Sequence, residues 1–516
     1  MNANTMNNSI ATPASQSFIG HIGHWLMIIS TLAFGFVLAV EVINIVFYDA
    51  YSEDFFLFRF AGSLSDLEIG PLTYLMFGSL LVALMMGLPL AFVTGGLGVM
   101  FVYLVGDSAM LNIIPGRIFP MMTNSDLAAI PLFIFMASML ERAGLIEEMF
   151  NVVYKWMGGL DGGLATATIL ASTILAAMVG VIGAAVVTMG IIALPAMLKR
   201  GYDPQIALGS IMAGGTLGIL IPPSILAILY AVVAQQSVGE LYLGAIIPGL
   251  MLSGMYIMYV LIRTKINPSL GPAVPPEERI TFREKVLLLK DLIAPLFLVM
   301  LVLGLLFGGI ATPVEAAGIG SFGAILVAWK HKVFSVEALK DASITTARAS
   351  AMVLWIMFGA SVFVGFYILQ GGQEFITASI LGTGMSAYGI LFLLMALLVV
   401  LGMFLDWVGI LLLAVPIFIP IVKALQFDGL FGMPAVSNDD VILWFGVLYL
   451  VNMQMSFLSP PFGYALFYIK GVCPPEISMG TIFKSSLVFL ALQCLGLLLC
   501  IVFPGIVTWL PSMVYG

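Results

Sequence analysis

The chain has 516 residues, 61% of them hydrophobic and 9% charged, with a formal net charge of −8. A soluble domain is roughly half apolar, so this composition excludes a water-soluble globular protein, and positive charge that is local and not global excludes nucleic acid as a partner. Three cysteines (Cys473, Cys494, Cys500) and three histidines (His21, His24, His331) are too scattered for a disulfide framework or a zinc cluster.

Apolar runs of about 20 residues, each enough to cross the hydrocarbon core, recur along most of the length. They predict an all-α polytopic membrane protein of about 12 spans, since a β-barrel would be written in shorter alternating segments. In chain order, residues 1–23 read as a polar tail, because no Lys or Arg stands in the first twenty positions where a secretory signal has its basic region. Residues 24–71 hold an extra N-terminal span (24–47) and a loop in which Asp49, Glu53, Asp54, Asp66 and Glu68 outweigh Arg59, which places it outside. The first repeat half, 72–262, has apolar segments near 72–105, 128–140, 164–198, 206–233 and 241–261, of which 128–140 is too short to cross unaided. Residues 263–291 combine prolines with Arg263, Lys265, Arg279, Arg283, Lys285 and Lys290, and the positive-inside rule makes them a cytoplasmic linker. The second half, 292–516, opens with two compact spans (292–307 and 309–329) that return the chain to a basic loop with Lys330, Lys332 and Lys340 on the same side. Further segments cover 351–369, 388–424, 441–468 and 483–510.

The stretch GGTLGILIPPSILAILY, residues 214–230, breaks an apolar segment with three glycines and two adjacent prolines, and SPPFGYALFYIKG at 459–471 repeats the pattern. Pro222 and Pro223 align with Pro460 and Pro461, Ala227 with Ala465, and Tyr230 with Tyr468. Similar segments lie upstream, LPAMLKRGYD at 194–203 and IPIVKALQFD at 419–428, and the second copy is longer by about a dozen residues, which fits an insertion near 433–440. Paired Gly/Pro-interrupted segments in two halves are the sequence mark of a secondary-transporter site. A broken helix leaves carbonyls and N–H groups that cost several kcal/mol each in hydrocarbon unless an ion or substrate satisfies them.

The segments DLAAIPLFIFMASMLERAGL (126–145), AGGTLGILIPPSILAILYAVV (213–233), GGIATPVEAAGIG (308–320) and NMQMSFLSPPFGYALFYIKGV (452–472) carry a resemblance to the large membrane subunit of the tripartite ATP-independent periplasmic (TRAP) transporters, the DctM-like family. The extra N-terminal span and the insertion near 433–440 look like the longer branch of that family. The resemblance implies an elevator-type carrier of the bacterial inner membrane, in which two inverted repeats each give a helical hairpin and a broken helix to a transport domain. It further implies sodium as the coupling ion and a small organic anion as the substrate, such as a 2-oxo acid or C4-dicarboxylate. A soluble periplasmic substrate-binding protein would deliver that anion. A small four-span membrane subunit would be a separate partner, since the N-terminal extension here holds one clear span.

The resemblance also implies sodium sites built largely from backbone carbonyls. In the first repeat the matching positions lie around Gly183, Ala184 and Ala185, with Gly215, Gly218 and Pro222 opposite. The family often has Gly-Ser-Ser where this chain has Gly-Ala-Ala, which removes a hydroxyl ligand and leaves Thr188 to contribute a side-chain oxygen. In the second repeat, Gly402 and Asp406 face Ser459, Pro460, Pro461 and Gly463. Asp406 has two open readings, a carboxylate meeting a cation or donor inside an apolar stretch, or a cap of the following helix. Asn124, Ser125, Ser224 and Arg348 are candidate substrate contacts. Asn124, Ser125 and Asp126 also read as ordinary caps, while Arg348 and Arg117 stand near span ends where Arg snorkels to the interface. Either arginine, if it instead reaches the central cavity, has a guanidinium that can pair bidentately with a carboxylate substrate, Arg348 being the better candidate. Thr312 and Glu315 read as a capping box.

Other classes fit less well. Three dispersed histidines cannot make a His-Glu-x-x-His helix, and neither a Gly-x-Ser-x-Gly elbow nor a phosphate-cradling loop is present. No enzymatic role and no cofactor beyond sodium is expected. A proton-coupled carrier acting through Asp406 and a channel remain the alternatives, with an intramembrane enzyme behind them.

Overall fold

The computed structural model describes residues 67–106, 108–180 and 182–516, so the expected tail 1–23 and the span 24–47 lie outside the described residues. These residues form twenty α-helices, a few 3-10 turns and no strand. In lipid a helix satisfies its own backbone, and this dictates the choice.

The apolar run 72–105 divides into α1 (Ile69–Met85) and α2 (Leu90–Leu104), and the short segment 128–140 becomes α4 (Ala129–Arg142), entered at a 60° bend from α3 (Ile113–Met122). Next comes α5 (Leu145–Met157), which the apolar pattern did not reveal. It buries Leu145, Ile146, Met149, Phe150, Val152 and Val153 on one face and carries Glu147, Glu148 and Lys155. The segment 164–198 is a hairpin of α6 (Gly163–Val179) and α7 (Ile182–Lys199). The segment 206–233 is a broken helix, α8 (Pro204–Thr216) and α9 (Ile225–Ala234), followed by α10 (Val238–Ile266).

The linker expected at 263–291 is shorter and more ordered than its composition suggested. Helix α10 continues to Ile266, α11 (Phe282–Phe307) begins early, and the strap between them is pinned to the base of the first hairpin. Gly162 N–H donates to the Gly271 carbonyl at 2.7 Å, Val274 N–H to Gly158 at 2.8 Å and Asp203 N–H to Leu270 at 3.0 Å. A Thr281–Glu284 capping box starts α11. After α12 (Pro313–Lys330), opened by the expected Thr312–Glu315 box, α13 (Val336–Leu369) runs for 34 residues, far beyond the apolar portion 351–369.

The second half then mirrors the first. Helix α14 (Gly372–Leu381) takes the place of α5. A second hairpin follows, α15 (Ala387–Gly402) and α16 (Trp407–Ala424), then a second broken helix, α17 (Val441–Leu458) and α18 (Tyr464–Val472), and finally α19 (Met479–Val502) and α20 (Gly505–Tyr515). Hairpin and broken helix are joined by residues 200–203 in the first copy and by 425–440 in the second, which locates the insertion. Among the described residues six helices are long and apolar enough to cross a membrane, or up to eight counting each bent pair as one. Five further apolar helices of 10–17 residues stand beside them, because the chain repeatedly turns back or breaks inside its apolar segments.

Each broken helix packs on its own hairpin, and its second half crosses to the other repeat: α9 lies against α16, and α18 against α7. The aligned tyrosines make the crossing visible. Tyr230 stacks on Tyr449, with ring centroids 5.7 Å apart, and donates to the Ile442 carbonyl at 3.0 Å. Tyr468, its counterpart, lies on Gly183 of the first hairpin.

Candidate functional site

The two breaks present the same chemistry. Helix α8 passes into a 3-10 turn at Leu217–Ile219 and the chain resumes as α9 only at Ile225. Pro222 and Pro223 have no N–H to donate, and the carbonyls of residues 220–223 accept no hydrogen bond among the described residues, although all four residues are buried. In the second break, between Leu458 and Tyr464, the carbonyls of residues 460–462 are equally unengaged. Both Pro-Pro peptide bonds are cis. A buried carbonyl without a donor is rare and costs roughly 2–7 kcal/mol in an apolar setting, which applies to the sealed first break; both breaks are acceptor-rich points that a cation or water would satisfy.

Hairpin tips close on these breaks. Gly180, at φ +60°, turns the first tip, and a Cβ on it would stand 3.0 Å from the Pro223 carbonyl oxygen. Only glycine accepts both that backbone and that approach. The expected contact around Gly183, Ala184 and Ala185 lies one turn further along α7, and Gly183 faces Tyr468. Gly215 packs against Val186 of α7, so the hairpin and the broken helix do meet there, and Gly218 lies in the 3-10 turn of the break. The Thr188 hydroxyl is hydrogen-bonded to Glu141 on α4 at 3.4 Å and not to the break. In the second copy Gly402 is pressed against Ser456, and Gly463 closes the turn by donating its N–H to the Ser459 carbonyl at 3.0 Å. The Ser459 hydroxyl is spent on the Met455 carbonyl at 2.8 Å.

Asp406 occupies the N-cap position of α16 in extended backbone. Its half-buried carboxylate faces the N–H groups of Trp407 and Val408 without closing a capping hydrogen bond. It also lies within electrostatic reach of Tyr449, Tyr464 and Tyr468. Position favours the cap reading, and the unspent carboxylate favours the other.

The candidate substrate contacts separate. Ser224 is fully committed: its hydroxyl donates to Ile219 at 2.6 Å and caps Ala227 at 3.4 Å, while its carbonyl accepts from Tyr242 at 3.1 Å. Arg348 is exposed on the polar half of α13, and Ser125 is exposed at the start of a 3-10 turn. Asn124 caps Asp126 at 2.9 Å and, with Arg117, lines a cavity whose walls include none of the break residues.

Two residues were missed. Gln454, aligned with Thr216, is completely buried before the second break with neither amide atom hydrogen-bonded. Gln493 on α19 is also buried and donates to the Thr216 hydroxyl at 3.3 Å. A glutamine inside an apolar run was the available signal. The breaks also differ in access: Pro461 and Phe462 are exposed, and Phe462 stands 5.7 Å from Phe404 of the second hairpin tip, whereas the first break is sealed.

A family profile described as "Tripartite ATP-independent periplasmic transporter, DctM component" matches residues 77–506. The C4-dicarboxylate TRAP transporter large permease protein DctM of Vibrio cholerae is 28% identical over 454 residues, 84% of this chain and 96% of that one. The isethionate TRAP transporter permease protein DctMQ of Oleidesulfovibrio alaskensis is 30% identical over 440 residues, 85% of this chain and 66% of that one. The fold is similar to that of the YdaH transporter of Alcanivorax borkumensis, with a TM-score of 0.54 at 14% identity over 82% of this chain and 97% of that one. This chain belongs to the DctM component family of TRAP transporters.

Proposed function

We propose that, as the large membrane subunit of such a transporter, this chain moves a small organic anion inward with sodium as the coupling ion. The carrying observation is the pair of breaks, each with unengaged carbonyls opposite a hairpin tip. Such acceptors suit a hard cation with oxygen ligands, and an anion can share the same cation. In this reading Gly180, Gly215, Gly218 and Pro222 line the first point and Gly402, Asp406, Ser459, Pro460 and Gly463 the second, while Gly183 and Ala184 stand one turn further along α7 and Thr188 drops out of the set. C4-dicarboxylate and isethionate, named for two relatives, are both small anions, which supports an organic acid as cargo. A soluble binding protein and a small membrane subunit complete the system, and the paired hairpins and breaks move together as an elevator.

One net positive charge moving inward gains about 2.3 kcal/mol per 100 mV, so two sodium ions carried with a monoanion can concentrate it about fiftyfold from the potential alone. The test is the melting temperature of the purified chain with its small subunit in sodium, potassium or choline at equal ionic strength. Sodium-specific stabilisation is expected, because a ligand of the folded state alone raises stability by mass action. Equal melting in all three salts, with uptake driven by a pH gradient, would favour proton coupling through Asp406.

A further inference from the structure

A cavity of about 530 Å³ lies among α3, α13, the end of α9 and the middle of α16. Helix α8 starts beside the basic linker and α10 runs 29 residues back to it from the end of α9, so this cavity lies at the end away from the linker, the outer half by the positive-inside rule. Its polar lining is Arg117, Asn124, Gln235 and Ser361 among mostly aliphatic walls, and Arg117 supplies the one formal charge. Arg117 has no hydrogen bond or ion pair among the described residues. It is seated directly on Gly365, where a Cβ would stand 2.7 Å from its Nε. The Asn124 oxygen is already occupied by the Asp126 N–H, which leaves its NH2 group as a donor. The side chains of Gln235 and Ser361 make no hydrogen bond among the described residues.

The cavity is thus rich in donors, carries a positive charge with no ion-pair partner among the described residues and has low-dielectric walls that strengthen a pairing. A guanidinium matches a carboxylate bidentately, which an ammonium does not. A larger cavity of about 820 Å³ near the linker makes the contrast: there Glu147 and Glu278 balance Lys199 and Arg200, and Arg200 is already paired with Glu278. The outer cavity also joins two groups of elements. Helices α9 and α16 continue directly from the first break and the second hairpin tip, whereas α3 and α13 flank them.

We propose that this outer cavity is a carboxylate-binding subsite, in which Arg117 receives the anionic group of the cargo before it reaches the breaks. The inference rests on the uptake reading for the word cargo, but the binding site stands on its own geometry.

The experiment uses the full chain with its small membrane subunit, with succinate as probe, neutral succinamide as control, and sodium held constant. Succinate is expected to raise the melting temperature of the wild type and succinamide is not. R117Q should weaken the succinate response at least tenfold, and R117K less. G365A keeps the arginine but places a methyl group where it sits, and should weaken the response in the same direction, which guards against a folding defect of R117Q alone. An undiminished succinate response in both R117Q and G365A overturns the subsite, as does equal stabilisation by succinamide or none by succinate. The same melts in sodium and choline separate the two readings: sodium stabilisation should survive in R117Q, and its absence from the wild type strikes the coupling ion and not the arginine.

Discussion

Replacing Gly402 with alanine puts a methyl group where α17 leaves no room. The new Cβ would collide with both Cβ and Oγ of Ser456, while the Ser456 Cα stands at an ordinary 3.5 Å. Overpacking of this kind costs about 1–3 kcal/mol. It is offset by up to about 1 kcal/mol from the better helix propensity of alanine, less at the last residue of a helix. G402A should therefore destabilise by about 1–2 kcal/mol, read as a lowered midpoint in detergent unfolding. The structure also specifies the rescue. S456G removes the two colliding atoms, and the Ser456 hydroxyl makes only long contacts, 3.4 Å to the carbonyls of Leu398 and Asn452, so its loss is minor beside the roughly 1 kcal/mol cost of a mid-helix glycine. The double variant should be more stable than the sum of the singles by at least about 1 kcal/mol, the coupling expected of residues in contact. Wild-type stability in G402A, or strict additivity in the double variant, would refute the close approach of the second hairpin to its broken helix.

P222A and P460A each restore an N–H at a break and let the helix re-form there, so uptake should fall severalfold while the melting temperature moves by only a few degrees; normal uptake by both would remove the breaks from the mechanism. D406N should raise the sodium concentration for half-maximal uptake, and an unchanged requirement would return Asp406 to a purely capping role. The Thr281 backbone N–H and hydroxyl, at 2.8 and 2.9 Å, hold the exposed Glu284 carboxyl below the usual glutamate range. A depressed carboxyl contributes stability above its ordinary value of about 4.5 and loses it as pH falls through the lowered one. The melting-temperature gap between wild type and E284Q should thus narrow on acidification; a gap that widens contradicts the capping box.

The repeated Pro-Pro element was legible because proline cannot donate an N–H and interrupts a helix wherever it falls, so two aligned interruptions need no tertiary information. The Thr312–Glu315 box was equally local. Helices α5 and α14 were not legible, since each is only partly apolar and its pattern fades beside full spans. The first half of α13 was missed for a related reason: with Lys340, Asp341 and Arg348 it is polar, yet a helix once nucleated continues past the apolar region.

What the sequence by itself determined was the membrane, the helical class, the duplication and the two places where the backbone must find outside partners, all consequences of hydropathy and of prolines acting on neighbouring residues. The tertiary structure alone decided what meets those places. It put Gly180 and not Gly183 at the first tip, sent Thr188 to Glu141, crossed each half-helix to the opposite repeat, and left Arg117 facing a cavity while Arg348 stayed on the surface. Those outcomes depend on which helices pack together across hundreds of residues, where a difference of one turn reverses the direction of a side chain, and no local pattern encodes that direction.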